Sequence, residues 1–256
     1  MTRAQREVFD EVAGAYQRAR PGYPPRLVSD VLAFARLEPG ERILEIGAGT
    51  GKATTAFAGR GFPILCVESG PRLAAILEQQ VRAQPDVEVA VTRFEECALE
   101  PCDFGLAIAA QSFHWVDPET GLARCAEALR PGGTLALFGN RPKRGETALH
   151  RAVEACYARH ATGLAAAALR GQSRRDYRAE LEAAPGFGDL SEARYPFHRR
   201  YDARLYLDLL STQSDHRMLD PAVRASLLAS IRSVLLEHGG SIRVDYEAML
   251  VLARRR

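Results

Sequence analysis

Three glycines spaced two residues apart follow directly on a short apolar run of the kind that forms a buried strand. They lie in residues 44–51, which read LEIGAGTG. Glycine adopts positive φ and, having no Cβ, lets a ligand come close to the backbone. A helical pattern follows, so the glycines occupy a strand-to-helix junction, the place where open α/β sheets bind ligands. The turn therefore predicts an open α/β sheet with a binding site at its first junction.

Helical and strand patterns alternate from residue 24 to residue 139, which is typical of parallel strands joined by crossover helices. Strands are predicted over 43–46, 63–67, 87–91, 106–110 and 134–138. Helices are predicted to begin at Pro24 or Pro25, at Lys52 (as far as Arg60), at Pro71 and at Pro118, the last capped by Asp117.

The alternation stops after Asn140. Residues 143–184 are predicted to form helices that decorate the sheet, 192–201 another strand, and 241–252 a long final strand. Residues 202–237 carry apolar side chains at helical spacing and predict two amphipathic helices. Because no repeat or linker separates these segments, we expect one domain over 1–256, with a cap segment at 1–36 and helical lids at 143–184 and 202–237.

Charge and hydropathy exclude several partners. A net charge of +2 with scattered arginines gives no electrostatic case for nucleic acid. No apolar run approaches the roughly 20 residues that span a bilayer, and the first residues contain no signal-peptide core. We therefore expect no nucleic-acid or membrane partner. The three terminal arginines, 254–256, are expected to form a solvated tail.

Cysteine usage bears on the compartment and on metals. The five cysteines are an odd number and include no C-x-x-C pair, which argues against a disulfide framework and against a zinc site. Free thiols fit a reducing cytoplasm, so a cytoplasmic protein without a bound metal is expected.

Several ligands compete for the glycine turn. A phosphate-binding Walker loop is excluded, because Ile46 stands where its first glycine must be and Ala53 follows Lys52. In a dinucleotide fingerprint the third glycine would come one position later than Gly51. Glu45, an acid beside the turn, suits a cofactor with an ammonium group and disfavours a pyrophosphate. A tight turn with no ligand remains a further alternative.

Glu68 ends the second predicted strand. An acid at this place can accept hydrogen bonds from a ribose diol, which suits any nucleoside cofactor and separates none of them. The alternative is a charge at the amino end of the helix that begins at Pro71.

Four segments resemble the class I S-adenosylmethionine-dependent methyltransferases, and in particular a subgroup containing many small-molecule methyltransferases. Besides the glycine turn they are 9–24, 93–96, 109–118 (AAQSFHWVDP) and 129–135 (LRPGGTL). The resemblance covers roughly residues 9–139. It implies a Rossmann-like, doubly wound, mostly parallel seven-stranded sheet with the last strand antiparallel, plus helical lid insertions.

The resemblance also implies roles for individual residues. Gly47, Gly49 and Gly51 would approach the methionine and ribose parts of S-adenosylmethionine, with Glu45 near its ammonium group and Glu68 on the ribose hydroxyls. The remaining implied cofactor-binding residues are Phe94 and Glu95 beside the adenine, Gln111 near the methionyl group, and Tyr16 and Arg20 closing over the cofactor. The product would be S-adenosylhomocysteine.

Two positions depart from the family pattern. The family usually has an acid after the phenylalanine that opens the fourth strand, but Gly105 follows Phe104 here and the nearest acid is Asp103. Arg93 stands where a small or acidic residue is usual, and its role stays open.

The sulfonium methyl is already electrophilic, so catalysis consists mainly of aligning donor and acceptor. A carboxylate acceptor needs no base, whereas a hydroxyl or amine loses a proton to a positioned group. His114, after the fourth strand, is the candidate base; alternatively it only shapes the turn. His198 and His216 are weaker candidates. The predicted function is O-methylation of a small-molecule carboxylate or hydroxyl, with a nicotinamide oxidoreductase and a cofactor-binding protein without methyl transfer as alternatives.

Overall fold

A computed structural model describes residues 10–164 and 175–256. The helices in this part are α1 (Ala13–Ala19), α2 (Pro25–Ala35), α3 (Thr54–Phe57), α4 (Pro71–Val81), α5 (Pro118–Ala128), α6 (Ala148–His160), α7 (Tyr177–Ala183), α8 (Ala203–Ser211), α9 (Ser214–Arg217) and α10 (Pro221–Glu237). The strands are β1 (Arg42–Ile46), β2 (Ile64–Glu68), β3 (Val87–Val91), β4 (Phe104–Ala110), β5 (Leu129–Pro142), β6 (Phe187–Asp202) and β7 (Ser241–Arg255). Residues 1–9 of the expected cap and 165–174 of the expected lid lie outside the described residues. No helix in the described ranges is both long enough and apolar enough to cross a membrane.

Across the described residues, seven strands form one sheet in the order β3-β2-β1-β4-β5-β7-β6. β7 is antiparallel to both of its neighbours, and the other pairs are parallel. The predicted fold class, doubly wound with an antiparallel last strand, is confirmed. The chain progresses outward through β2 and β3 on one side of β1 and through β4 and β5 on the other. The carboxyl ends of β1 and β4 therefore form the switch point at which such sheets bind ligands.

The central strands are buried on both faces, which explains their nearly continuous apolar sequences. One core lies on the face that carries Leu44, Ile46 and Leu137, and includes residues of α5 and α7. The other lies on the face that carries Ile43 and Ile108, and includes residues of α2 and α4. The sheet is thus a middle layer between two helical layers.

A third apolar cluster lies beyond the carboxyl end of β5. Pro142, the last residue of β5, pairs with Tyr246, whereas β6 and β7 continue to the pair Asp202 and Ser241. The projecting strands pack against α6, α8 and α10 around the buried residues Tyr201 and Ile231. These helices therefore stand at the same edge of the sheet as the switch point.

Helix α1 connects the glycine turn to this helical cluster. Gln17 accepts a hydrogen bond from the Thr50 hydroxyl at 2.7 Å. On the other side, Arg18 pairs with Asp208 of α8 at 3.0 Å, and Arg20 donates to Thr212. One short helix thus contacts both the binding turn and the helices above it.

Several predicted elements have different bounds, and for two of them the backbone gives the reason. α3 covers only Thr54–Phe57 instead of 52–60, because the backbone becomes extended at Ala58 and Gly59 has positive φ. β5 begins at Leu129, before the predicted 134, and includes the glycines at 132 and 133. Gly132 has φ of 73°, and the pairing with β4 shifts register at this point, so the strand continues through an irregularity.

The expectation of a solvated arginine tail is wrong. Arg254 and Arg255 belong to β7 and pair with β6. Arg254 donates to the carbonyl oxygens of Gly132 and Phe34, and Arg255 to that of Leu129. These side chains satisfy backbone acceptors at the end of α2 and in the first residues of β5.

Candidate functional site

The glycine turn has the backbone conformation that its sequence requires. φ is 67° at Gly47, 60° at Gly49 and 85° at Gly51, all in the left-handed region that favours glycine. The N–H groups of Gly47 and Ala48 donate to the carbonyl oxygen of Val67 at 2.8 and 3.1 Å. The turn is therefore fixed to the end of β2.

The space around each glycine differs. A Cβ at Gly47 would lie 2.5 Å from Cβ of Ser112, and one at Gly51 would lie 2.7 Å from Leu77 of α4. A Cβ at Gly49 would meet no atom within 4 Å. Gly47 and Gly51 thus permit close packing of neighbouring segments, whereas Gly49 borders open space that a ligand can enter.

A cavity of about 940 Å³ opens at the carboxyl ends of β1, β2, β4 and β5, within the size range of small-molecule sites. The predicted site residues that line it are Tyr16, Arg20, Glu45, Gly47, Gly49, Glu68, Phe94, Glu95, Gln111 and His114. Gly51 is not part of the lining, because it packs on α4 instead. The residues singled out in five separate sequence segments are therefore brought to one cavity.

Glu68 is fixed at the end of β2 by both of its carboxylate oxygens. Oε2 accepts from the N–H of Gly49, and Oε1 from the N–H of Gly70, each at 2.7 Å. Burial raises the pKa of this carboxyl, while the two backbone donors act in the opposite direction. Each oxygen keeps a further lone pair, so the group can also accept from a diol.

Glu45 is a buried acid with an unsatisfied oxygen. It is only 1% exposed, and its Oε1 has no hydrogen-bond partner among the described residues. Burial raises the pKa of Glu45 to about 7, although hydrogen bonds involving Thr54 and Cys66 oppose the shift. An unpaired buried carboxylate is costly, and a cationic group in the cavity would remove that cost.

The 3₁₀ turn Phe94–Glu96, which follows β3 in the chain, forms one side of the cavity. Phe94 is 5% exposed, and the guanidinium of Arg124 lies 5.5 Å from its ring centroid. Arg93, whose role the sequence left open, lies 3.7 Å from Glu95 and 3.6 Å from Glu96. It therefore pairs with the acids of this turn.

Gln111 follows β4 in a strained conformation, with φ of 58°. Its N–H donates to Phe138 at 2.8 Å and its Nε2 to the carbonyl oxygen of Asn140 at 3.1 Å. A Cβ at Gly139 would lie 2.8 Å from Gln111 Cγ. Bonds to β5 thus hold Gln111 at the cavity wall despite the unfavourable φ.

Tyr16 and Arg20 enter the cavity from α1 and its end. The Arg20 guanidinium lies 5.4 Å from the Tyr16 ring centroid. Arg20 Nε donates to Thr212 Oγ1 at 2.9 Å, and Nη2 to the Thr212 carbonyl oxygen at 2.8 Å. Arg20 therefore links the cavity to the turn after α8, and burial raises the pKa of the Tyr16 hydroxyl.

His114 lies in the 3₁₀ turn Phe113–Trp115 and lines the cavity. Its ring centroid is 4.7 Å from that of Trp115. Arg175 donates from Nη1 to the carbonyl oxygens of Phe113 and Val116 at 2.8 and 2.9 Å, which fixes the turn. His114 is thus a cavity residue on a rigid support.

His198 and His216, the weaker candidates, are not part of the cavity lining. His198 is exposed on β6, and His216 is 3% exposed within the helical cluster. Neither histidine of this pair is placed to take a proton directly from a ligand in the cavity.

Sequence reasoning missed several lining residues. Lys52 directly follows the glycine turn, and this position could have identified it as a lining residue. The others come from distant segments and carry no local motif; they include Asn140, Arg175, Arg194, Asp215 and Met249.

The departure at Gly105 has a steric reason. A Cβ there would lie 2.6 Å from Leu37 and 2.8 Å from the Glu41 carboxylate. An acid at this place would meet an apolar side chain and a like charge. Asp103 instead pairs with Arg42 at the start of β1, away from the carboxyl edge where the cavity lies.

Comparison with known sequences agrees with this geometry. Residues 44–137 match the family model described as "Methyltransferase domain". An uncharacterized methyltransferase of Mycobacterium tuberculosis is 36% identical over 143 residues, which are 55% of this chain and 56% of that protein. A ubiquinone biosynthesis O-methyltransferase of Xanthomonas campestris is 31% identical over 117 residues, 44% of this chain and 48% of that protein. The chain thus spans about half the length of the curated relatives it matches.

Among solved structures, a protein of Anaeromyxobacter dehalogenans described as a type II methyltransferase has a TM-score of 0.63. The alignment covers 92% of this chain and 97% of that one, at 22% identity. At this identity the likeness concerns the fold. The sheet order and the family match over residues 44–137 together show that this part of the chain is similar to a methyltransferase domain.

Proposed function

We propose that the chain binds S-adenosylmethionine in the 940 Å³ cavity and transfers its methyl group to a small-molecule acceptor, leaving S-adenosylhomocysteine. The observation that carries this proposal is Glu45, a residue of the cavity lining beside the turn, whose buried Oε1 lacks a partner among the described residues. The cofactor has an ammonium group to offer that oxygen, whereas a pyrophosphate would be repelled by it.

The other residues fit the same cofactor. Gly49 leaves room for a nucleoside, and Glu68 is a fixed acceptor for ribose hydroxyls. We assign Phe94 and Glu95 to the adenine and Gln111 to the methionyl arm, because they line the cavity at successive strand ends. When bound, the cofactor supplies an electrophilic methyl group, and the chain orients the acceptor for in-line displacement.

We further propose that the helical cluster acts as a lid. Helices α6, α8 and α10 stand at the carboxyl edge of the sheet, and Gln213, Ser214 and Asp215 line the cavity from that side. A cap at 1–36 and lids at 143–184 and 202–237 within one domain, 1–256, would exclude water and restrict the acceptor to a small molecule.

For the reaction type we favour O-methylation of a carboxylate or a hydroxyl. The name of the Xanthomonas relative, an O-methyltransferase of ubiquinone biosynthesis, supports this choice. A hydroxyl acceptor loses a proton, and we assign its acceptance to His114, which lines the cavity on a turn held by Arg175.

The test is a screen of matched hydroxyl, amine and carboxylate acceptors with methyl-labelled donor, read out as labelled product by mass spectrometry. We expect turnover of at least one small acceptor. Binding of the donor with no product across the screen would favour a cofactor-binding protein without methyl transfer. Hydride transfer to a nicotinamide instead would favour an oxidoreductase.

A further inference from the structure

Three side chains of the helical cluster form a hydrogen-bonded chain that ends at the cavity. Asp215 Oδ1 lies 2.8 Å from Nδ1 of His216, and Nε2 of His216 lies 2.7 Å from the Tyr157 hydroxyl. His216 is 3% exposed, and the backbone N–H of His216 also donates to Asp215 Oδ1, at 2.8 Å. One oxygen of Asp215 is therefore held by two donors.

The direction of the bond at Asp215 follows from its carboxylate, which can only accept when it is ionised. Burial raises the pKa of Tyr157 well above its ordinary value, so the hydroxyl keeps its proton beside Nε2. Nδ1 of His216 carries the proton that faces Asp215, in the neutral and in the charged ring alike. Nδ1–H donates to Asp215, whose pKa is lowered by its bonds to His216 against the opposing effect of burial. The arrangement presents an ionised carboxylate.

The second oxygen of Asp215 is available to a ligand. In the part of the chain that the structure describes, Oδ2 accepts no hydrogen bond, and the side chain is 37% exposed where it lines the cavity. The positive charge of Arg20 acts on Asp215, but the Arg20 Nε and Nη2 donors are bonded to Thr212. A carboxylate fixed in the cavity lining, with one oxygen that accepts no hydrogen bond from the described residues, is a specific acceptor for a donor group.

Asp215 is also separate from the acids assigned to the cofactor. Glu45 and Glu68 belong to the ends of β1 and β2, whereas Asp215 comes from α9 on the lid side of the cavity. We propose that Asp215 selects a methyl acceptor with a hydrogen-bond donor, a hydroxyl or an ammonium group, over an acceptor with a carboxylate. This inference rests on the proposed function; of the two acceptor classes favoured there it keeps the hydroxyl and disfavours the carboxylate, and an ammonium group would serve as a binding group of the acceptor. His216 and Tyr157 are positioning residues for Asp215.

The first test measures binding of small probes to the protein loaded with S-adenosylhomocysteine. The probes are an amine, an alcohol and a carboxylate of matched size, each on a benzyl and on a hexyl scaffold. Their binding is measured by ligand-observed NMR. We expect the amine or alcohol to bind about tenfold or more tighter than the carboxylate. Asp215→Asn should remove most of this preference, and Glu237→Gln, an exposed acid at the end of α10, should retain it.

The outcomes separate this inference from the proposed function. A wild-type protein that fails to bind S-adenosylhomocysteine contradicts the proposed function itself. With that ligand bound, the inference is overturned by a carboxylate preference, by binding of no donor-bearing probe, or by an unchanged preference in Asp215→Asn. Weakened S-adenosylhomocysteine binding as the only effect of Asp215→Asn would also overturn it.

The second test concerns the positioning residues. His216→Asn places an amide donor close to the position of Nδ1 and should keep the probe preference, whereas His216→Leu removes the donor and should lose it. Tyr157→Phe frees Nε2 and should weaken the preference severalfold without changing S-adenosylhomocysteine affinity. A thermal melt confirms that each variant is folded. Equal preferences in His216→Leu and wild type would contradict a positioning role.

Discussion

The backbone N–H of Gly49 donates to Glu68 Oε2 at 2.7 Å, which joins the glycine turn after β1 to the acid that ends β2. The same carboxylate accepts from Gly70, where α4 is about to begin. One side chain thus joins the loop after β1 to the loop after β2. The carboxylate proposed to hold the ribose is consequently fixed by backbone donors of both loops.

Glu68→Gln is expected to weaken S-adenosylmethionine binding by about 10- to 100-fold. An amide can accept with only one of its two polar atoms, so one backbone N–H loses its partner, at a cost of about 1–3 kcal/mol. Isothermal titration measures the change. Glu78→Gln, an exposed acid on α4, is the control and should bind as wild type. Equal affinities for the two variants would show that Glu68 does not hold the ribose.

The pH dependence of stability should reveal Glu45. Its pKa of about 7 in the native state lies above the ordinary value of 4.5, so between these values the native state holds a proton that the unfolded chain has released. The free energy of unfolding of the free protein should therefore fall as pH rises through this window, by an amount on the order of 3 kcal/mol. Urea titrations of wild type and Glu45→Gln measure the difference, and parallel pH profiles would contradict the shift.

The same group should make cofactor binding depend on pH in the opposite sense. The ammonium group of S-adenosylmethionine is attracted by the ionised form of Glu45, so affinity should increase between pH 6 and pH 7.5, by up to about tenfold. In Glu45→Gln we expect a weaker and pH-independent affinity, measured by titration calorimetry. A wild-type affinity that falls over this range would argue against contact between the two groups.

The Arg20–Thr212 contact should control how long the cofactor stays bound. Thr212→Val removes the hydroxyl that accepts from Arg20 Nε and keeps the side-chain volume. We expect dissociation of S-adenosylmethionine to become about 5- to 10-fold faster, because a bond between cap and lid is lost. Trp115 is the single tryptophan and lines the cavity, so its fluorescence can report release in stopped flow. Arg18→Gln, which breaks the more exposed pair with Asp208, should have a smaller effect.

The steric account of Gly105 predicts that restoring the usual family acid is harmful. Gly105→Asp places a carboxylate against Leu37 and Glu41 and should lower the free energy of unfolding by about 1–3 kcal/mol. Chemical denaturation measures this. Asp103→Asn weakens only the partly exposed pair with Arg42 and should cost less. A Gly105→Asp protein as stable as wild type would show that the strand start can relax.

Local patterns predicted the five parallel strands and the glycine turn, whereas the seven-stranded sheet and most of the predicted lining residues came from the resemblance to a known family. The apolar run before Gly47 and the alternation of strand and helix patterns through residue 139 follow from the spacing of apolar residues along the chain, which the sequence shows directly. The contributions of Asp215 and Met249 could not be predicted, because they depend on how β6, β7 and the lid helices pack across the switch point. The terminal arginines were misassigned for a related reason: their charge suggested solvent, but backbone carbonyl groups in the first residues of β5 are their partners.

Titration of S-adenosylmethionine into two glycine variants tests the central claim most directly. Gly49→Leu and Gly61→Leu both replace a glycine of positive φ that has no atom within 4 Å of its Cβ position, so the backbone strain is matched. Of these two glycines, Gly49 lines the cavity and Gly61 does not. We expect wild type and Gly61→Leu to bind the cofactor with one site per chain and Gly49→Leu to show no binding. Undiminished binding by Gly49→Leu, or wild-type binding of a nicotinamide dinucleotide in place of S-adenosylmethionine, would contradict the account.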